Sequence, residues 1–300
     1  MTSRLSAPLL MLSASLLFSM MGVCVKLASA YYSAGEIVLY RSLVGALFIG
    51  ALTAVRGGSL RTQVPGMHFW RSTIGVLSLS LWFYSIGKLP LATAITLNYM
   101  SSVWMALFLI GGAVMFGAAR VDSRLVATVL TGFIGVALVL QPTLDQDQFH
   151  GAFAGLLSGL GAALAYMQVT ALGRVGEPEY RVVFYFSLGG IVAGACLMLT
   201  GGVHAHTPYG AALLLATGVL ATVAQMMMTR AYAIGRALKN ASLQYLGIAF
   251  SFIFGVVIFD DPVTLAAMAG MVLIIGAGVA ATRLRQRSAP AAGESSTFES

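Results

Sequence analysis

The stretch "LLMLSASLLFSMMGVCV", residues 9–25, carries no charged residue and does not alternate between apolar and polar. Within lipid every backbone N–H and C=O must be satisfied inside the protein, which leaves a helix or a closed barrel. A barrel strand alternates its faces every second residue, whereas a lipid-spanning helix reads as one continuous apolar run of about 20 residues. This stretch is of the second kind. Similar runs fill the chain, which is 58% hydrophobic and 9% charged with a mean hydropathy of +0.88. Soluble domains carry about 25% charged residues. The expectation is an all-α membrane protein with ten transmembrane helices, near 7–30, 36–55, 68–87, 91–117, 125–141, 151–172, 182–200, 209–231, 237–259 and 263–282. The segment "SAPAAGESSTFES", 288–300, has the composition of a disordered C-terminal tail.

Basic residues in the connecting segments give an orientation. With the N-terminus in the cytoplasm, alternate segments collect Arg4, Arg56, Arg61, Arg71, Arg120, Arg124, Arg174, Arg181, Arg230, Arg236, Lys239, Arg283, Arg285 and Arg287 on the cytoplasmic side. The opposite side holds Lys88 with Asp145, Asp147, Asp260 and Asp261. Both termini are then cytoplasmic. The net charge of +7 is a topology signal, not a nucleic-acid footprint, and no nucleic-acid partner is expected. The "ASA" at 28–30 imitates a signal-peptide cleavage site, but the run before it is long enough to span, and an uncleaved first helix is expected.

The chain repeats itself. "TLNYM" at 96–100 pairs with "SLQYL" at 242–246, "RSLVG" at 41–45 with "FSLGG" at 186–190, and "YSIGK" at 84–88 with "YAIGR" at 232–236. Two five-helix units follow, 1–142 and 143–287. Five is odd, so the second enters the membrane upside down. Such inverted repeats are common in secondary transporters, with the substrate site at the repeat interface near the midplane.

The repeat places the candidate site. Asn98 and Tyr99 sit about 10 Å into the fourth span, and Gln244 and Tyr245 lie equally deep in the ninth from the other side. Polar groups in lipid need partners or a wet cavity. The pairs fit the two ends of one central cavity, or else hydrogen-bond between helices as packing contacts. Trp82, Tyr84, Trp104 and Tyr166 are candidates for an amphipathic cavity wall, with Trp82 and Tyr84 alternatively belt residues. Gln168 and Gln225 lie deep in the sixth and eighth spans, facing a cavity or a neighbouring helix. Lys26 and Arg41 could hold a substrate carboxylate. Alternatively Lys26 snorkels or pairs with Glu36, and Arg41 serves between helices. Met226, Met227 and Met228 read as adaptable packing. Gly151, Gly155 and Gly159 form a close-packing face, and Gly270, Gly276 and Gly278 a second.

Metal and cofactor chemistry have no footing. His68, His150, His204 and His206 sit in or near loops, Cys24 and Cys196 fall within spans as small hydrophobes, and neither set has metal-ligand spacing. No nucleophile–base pattern, P-loop or dinucleotide fingerprint occurs, so no catalytic residue and no cofactor is expected. All ten acidic residues fall in loops, tails or span ends. Proton- and sodium-driven carriers commonly use intramembrane carboxylates, so transport without strict ion coupling is the simpler expectation.

"LPLATAITLNYMSS" at 89–102 and "ASLQYLGIAFSFIFGVVIFDDPVT" at 241–264 resemble the starts of the fourth and ninth helices in the EamA-like branch of the drug/metabolite transporter superfamily. Arg41 matches an arginine often found in the second helix of that family. Ser102 stands where members typically carry proline, and "AAR" at 118–120 replaces the usual glycine–glutamate pair closing the fourth helix. The likeness is nearest to bacterial metabolite exporters, including YddG-type amino-acid exporters. It implies a multi-pass protein of the bacterial cytoplasmic membrane, a monomer in the lipid bilayer, exporting small organic solutes, amino acids foremost. A membrane receptor or scaffold on the same fold is the rival reading.

Overall fold

The computed structural model describes residues 6–101, 103–105, 107–108, 111, 123–140, 146–234 and 245–287. Gln244 and the tail at 288–300 lie outside the described residues. Among those described, all regular structure is helical, in ten helices: α1 Ala7–Ala28, α2 Ala34–Arg56, α3 Pro65–Lys88, α4 Leu91–Tyr99, α5 Ser123–Leu140, α6 Gln146–Arg174, α7 Glu179–Gly201, α8 Pro208–Ile234, α9 Leu246–Phe259 and α10 Leu265–Arg287. Five of these are long and apolar enough to cross a membrane: α1, α2, α7 and the segments Gln148–Arg174 of α6 and Pro208–Tyr232 of α8.

Local chemistry sets the helix ends. Ser33 caps α2 in a capping box, its hydroxyl accepting from the Glu36 N–H while the Glu36 carboxylate accepts from the Ser33 N–H. Gly57, at φ 66°, closes the other end of α2 in the left-handed conformation that a side chain would resist. Pro8 and Pro65 occupy first-turn positions of α1 and α3, where the missing N–H is not needed. The fourth span is not one unbroken helix. It turns at Met100, whose N–H bonds to the Leu97 carbonyl at 3.2 Å, and helical geometry returns at Ser101 and Val103–Met105. Tyr245, one residue before α9, also lies in a turn.

The helices pair across the halves of the chain. α1 packs on α8, α2 on α7, α3 on α6, α4 on α9 and α5 on α10. Exchanging each helix of one half for its counterpart five places along leaves this set of pairs unchanged. With lipid as solvent, helix association draws on close packing, not on water exclusion. Small residues supply it. A Cβ at Gly194 of α7 would stand 2.6 Å from the Leu39 nitrogen of α2, and one at Gly159 of α6 would stand 2.6 Å from the Leu97 carbonyl oxygen of α4. Gly151 meets Lys88 and Gly155 meets Ser85 and Leu97 in the same way, so the small-residue face of α6 is the one against α3 and α4. In α10, the carbonyl of Gly270 meets Gly135 of α5, whereas Gly276 has nothing within 4 Å and is not a packing position. The core between the halves holds Met21, Ile37, Phe83, Ile86, Leu97, Met100 and Ile248.

Candidate functional site

Seven helices reach a small cavity in the middle of the bundle. α1 contributes Phe18 and Met21, α2 Arg41, α3 Arg71, Ser78 and Trp82, α4 Asn98 and Tyr99, α6 Tyr166, α7 Phe186, and α8 Gln225 and Met228. Its free volume is about 60 Å³. That is room for roughly two waters at about 30 Å³ each, whereas small-molecule sites commonly measure about 300–1,000 Å³. The walls must part before an organic solute enters.

Polar chemistry is concentrated here. The Asn98 amide donates to the Ser158 hydroxyl at 3.0 Å, which donates in turn to the Gly155 carbonyl at 2.6 Å. Ser78 donates to the Ser158 carbonyl at 2.7 Å. Asn98 therefore ties α4 to α6 and lines the cavity at once. In the corresponding pair of helices, Ser19 of α1 donates to the Gly247 carbonyl of α9 at 3.0 Å. Tyr99 lies against Gly247, where a Cβ would stand 2.7 Å from its hydroxyl oxygen, and Tyr166 stacks on Tyr232 with ring centres 6.0 Å apart.

Two arginines dominate the electrostatics. Arg41 and Arg71 are 5% and 3% exposed, and both lie over the Phe186 ring, at 5.1 and 4.4 Å. Gly75, one turn along α3, leaves the space into which the Arg71 guanidinium folds. Burying a charge at a helix centre costs about 2.5–3.5 kcal/mol on insertion scales. A cation over an aromatic face returns about 0.5–2 kcal/mol. The ring offsets only part of the cost. Arg41 Nε and Arg71 Nε and Nη1 are buried with no hydrogen-bond partner among the described residues.

Sequence reasoning placed Arg71 in a loop as a topology charge. It lies instead one and a half turns inside α3, which begins at Pro65. His68 was also placed near a loop and is buried in the same helix, 1% exposed. Of the residues singled out from sequence, Arg41, Trp82, Asn98, Tyr99, Tyr166 and Gln225 come together on the cavity wall. Lys26, Tyr84, Trp104, Gln168 and Tyr245 are not among its described lining. Tyr84 is 38% exposed and points away from the bundle. Trp104 sits edge-on to Phe133 of α5 at 5.5 Å, and Tyr245 is buried in the core. Phe186 carried no signal beyond its depth in an apolar run, and Arg71 counted only among the basic residues of the cytoplasmic side.

Lys26 pairs with Asp261, not Glu36, at 2.8 Å and lies over the Phe259 ring. The other Asp261 oxygen accepts from the Leu91 N–H at 2.9 Å. One carboxylate thus joins α1, the start of α4 and the connection after α9. Glu36 accepts from the His204 N–H at 2.8 Å and contacts its ring Nδ1 at 2.7 Å. His206 contacts the Tyr40 hydroxyl at 2.7 Å. At the opposite end of the bundle, Glu177 gathers Thr62 at 2.9 Å, His68 at 3.1 Å and Arg181 at 3.1 Å. Arg181 also donates to the Ser59 carbonyl, fastening the α2–α3 connection to the α6–α7 connection. Burial alone would raise the Glu177 carboxyl, but hydrogen bonds from His68, Thr62 and Arg181 hold it below the usual carboxylate range.

No group of three or more His, Cys, Asp or Glu among the described residues is placed to hold a metal ion. A larger groove of about 660 Å³ runs between α3 and α7, lined by Phe69, Leu77, Leu188, Val192 and Leu197. Its side chains are mostly apolar and several are exposed, as on a lipid-facing surface.

Comparison with known proteins agrees with this architecture. The model of the EamA-like transporter family matches residues 5–141 and again 149–282. A pseudopaline exporter, CntI, of Pseudomonas aeruginosa is 32% identical over 284 residues, covering 94% of this chain and 97% of that protein. A riboflavin transporter of Brucella anthropi is 24% identical over 249 residues, covering 81% and 86%. A crystal structure at 20% identity superposes with a TM-score of 0.66 over 94% of this chain and 100% of the other, a likeness of fold. The chain belongs to the EamA-like transporter family and is a multi-pass membrane transporter of small molecules, not an enzyme.

Proposed function

We propose that the protein exports small organic metabolites, amino acids among them, from the cytoplasm of a bacterium by alternating access through the central cavity. The observation that carries this reading is a polar cavity in the middle of an apolar bundle, lined from both halves of the chain. The exchange symmetry of the helix pairs supports two inverted five-helix repeats, 1–142 and 143–287, giving ten membrane crossings. The turn at Met100 interrupts the fourth span, as in transporters that bind at broken helices. Arg56, Arg61, Arg174, Arg181 and Arg230 gather at the Glu177 end, while the Lys26 end has Asp260 and Asp261. The positive-inside rule makes the Glu177 end cytoplasmic, with both termini on that side of the inner membrane. A relative named as an exporter supports the outward direction.

The test is flux of labelled amino acids through the purified protein in liposomes. Asn98→Ala and Gln225→Ala are expected to reduce flux while leaving insertion intact. Normal flux with normal expression in both would remove the cavity from the transport path. Coupling is examined with equal solute on both sides and an imposed proton or sodium gradient. No described acidic residue lines the cavity, so no uphill accumulation is expected. Accumulation that collapses with an ionophore would overturn the uncoupled reading.

A further inference from the structure

Among the described residues the charge on the cavity wall is all of one sign. Arg41 and Arg71 both reach it, both are more than nine-tenths buried, and neither forms an ion pair among the described residues. The carboxylates that do form ion pairs, Glu36, Glu177 and Asp261, stand at the two ends of the bundle, engaged by His204, by His68 and Arg181, and by Lys26. Three guanidinium nitrogens on the two arginines have no acceptor among the described residues. Both groups rest on one aromatic ring, at 5.1 and 4.4 Å, so a single small solute can reach both.

A guanidinium keeps its charge and presents a planar fork of donors that matches a carboxylate. Buried charges without partners are unfavourable, and two like charges in one dry space more so. The unsatisfied forks need two negative charges. We propose that the solute is a small organic dianion with two carboxylates, one held by Arg41 and the other by Arg71, with Asn98 and Gln225 hydrogen-bonding the polar group between them. The assignment rests on the transport reading above and narrows it. Acidic amino acids and dicarboxylates qualify. A neutral amino acid brings one carboxylate and an ammonium that would face the second guanidinium, and a cationic one fares worse.

The experiment separates binding from movement. The purified full-length protein in detergent is titrated with succinate, glutamate and aminoadipate, and with glutamine and lysine, while its thermal unfolding is followed. Counterflow of the same solutes is then measured in liposomes. The dicarboxylates are expected to stabilise the protein and to bind about tenfold or more tightly than glutamine. Arg71→Gln should weaken dicarboxylate binding roughly thirtyfold or more, the least expected when one partner of a buried charge pair is truncated. It should bind glutamine no worse than the parent does. Because it removes an uncompensated charge, the ligand-free variant should unfold at the same temperature or higher, which a structural arginine would not allow. Arg71→Lys should keep the dianion preference in weakened form. No stabilisation by any dicarboxylate overturns the proposal, as does equal binding of glutamine and glutamate. Dicarboxylate binding without counterflow would leave the assignment of the two arginines standing and overturn the transport reading instead.

Discussion

Glu177 shows how much a single side chain carries at one end of the bundle. Its carboxylate accepts from Thr62, His68 and Arg181, and these bonds hold it below its usual value of 4.5. A depressed folded value contributes stability that is complete above the unfolded value and is lost as pH falls through the folded one. Thermal stability in detergent should therefore decline as pH drops below about 4.5 and continue to fall below that. Glu177→Gln should flatten that decline and cost about 1.5–3 kcal/mol at neutral pH, the range for hydrogen bonds to a charged group. An unchanged pH profile in the variant would show that the carboxylate contributes nothing. Little of this was visible in the sequence. Thr62 and His68 lie more than a hundred residues before Glu177, and nothing local marks them as partners. Asn98, Tyr99, Gln225 and Tyr166 were legible because a polar group in a lipid-length apolar run needs a reason to be there. Trp82 and Tyr84 were not separable, since two residues turn the helix by roughly 200° and only the fold decides which of them faces in.

Among the elements, α6 is the most demanding. Its glycine face admits the α4 backbone, so an added methyl at Gly159 meets a carbonyl oxygen at 2.6 Å, which cannot rotate aside. Gly159→Ala should destabilise by about 1–3 kcal/mol, and Gly155→Leu should lower folded yield further. Gly276→Ala in α10 meets open space and should be neutral or stabilising by up to about 1 kcal/mol. Unfolding temperatures in detergent distinguish the three. Equal effects would mean that helix propensity, not the close approach, governs these positions. The repeat of glycine every fourth residue was readable from the sequence, and so was the existence of the helices. The span expected at 68–87 is close to α3, Pro65–Lys88, but which side chains of "HFWRSTIG" at 68–75 turn inward was not legible, since His68, Arg71 and Ser72 are buried while Phe69 and Trp70 are exposed, the reverse of what their polarity suggests.

For the whole molecule, the ends matter as much as the centre. Lys26, Asp261 and the Leu91 N–H join at one end, outer in the proposed orientation, and the Glu177 cluster fastens the other. Lys26→Ala or Asp261→Asn should loosen the outer closure. A cysteine placed at Ala92, which is 7% exposed, should then react several-fold faster with a membrane-impermeant maleimide added outside. Unchanged labelling would mean that the ion pair is not a closing contact. The duplication is a signal spread over hundreds of residues, and the family model matching 5–141 and again 149–282 agrees with it. The pairing of Lys26 with Asp261 spans 235 residues and joins the last turn of α1 to the connection after α9, where no pattern points one to the other.

Both fastenings are in place together, and the space between them holds about two waters. A bacterium stores energy as an ion gradient across the membrane this protein would cross. In this arrangement the molecule behaves as an airlock with both doors shut. With both ends fastened, protons are expected to find no continuous file of water, and liposomes carrying the idle protein should hold an imposed pH gradient as long as empty ones do.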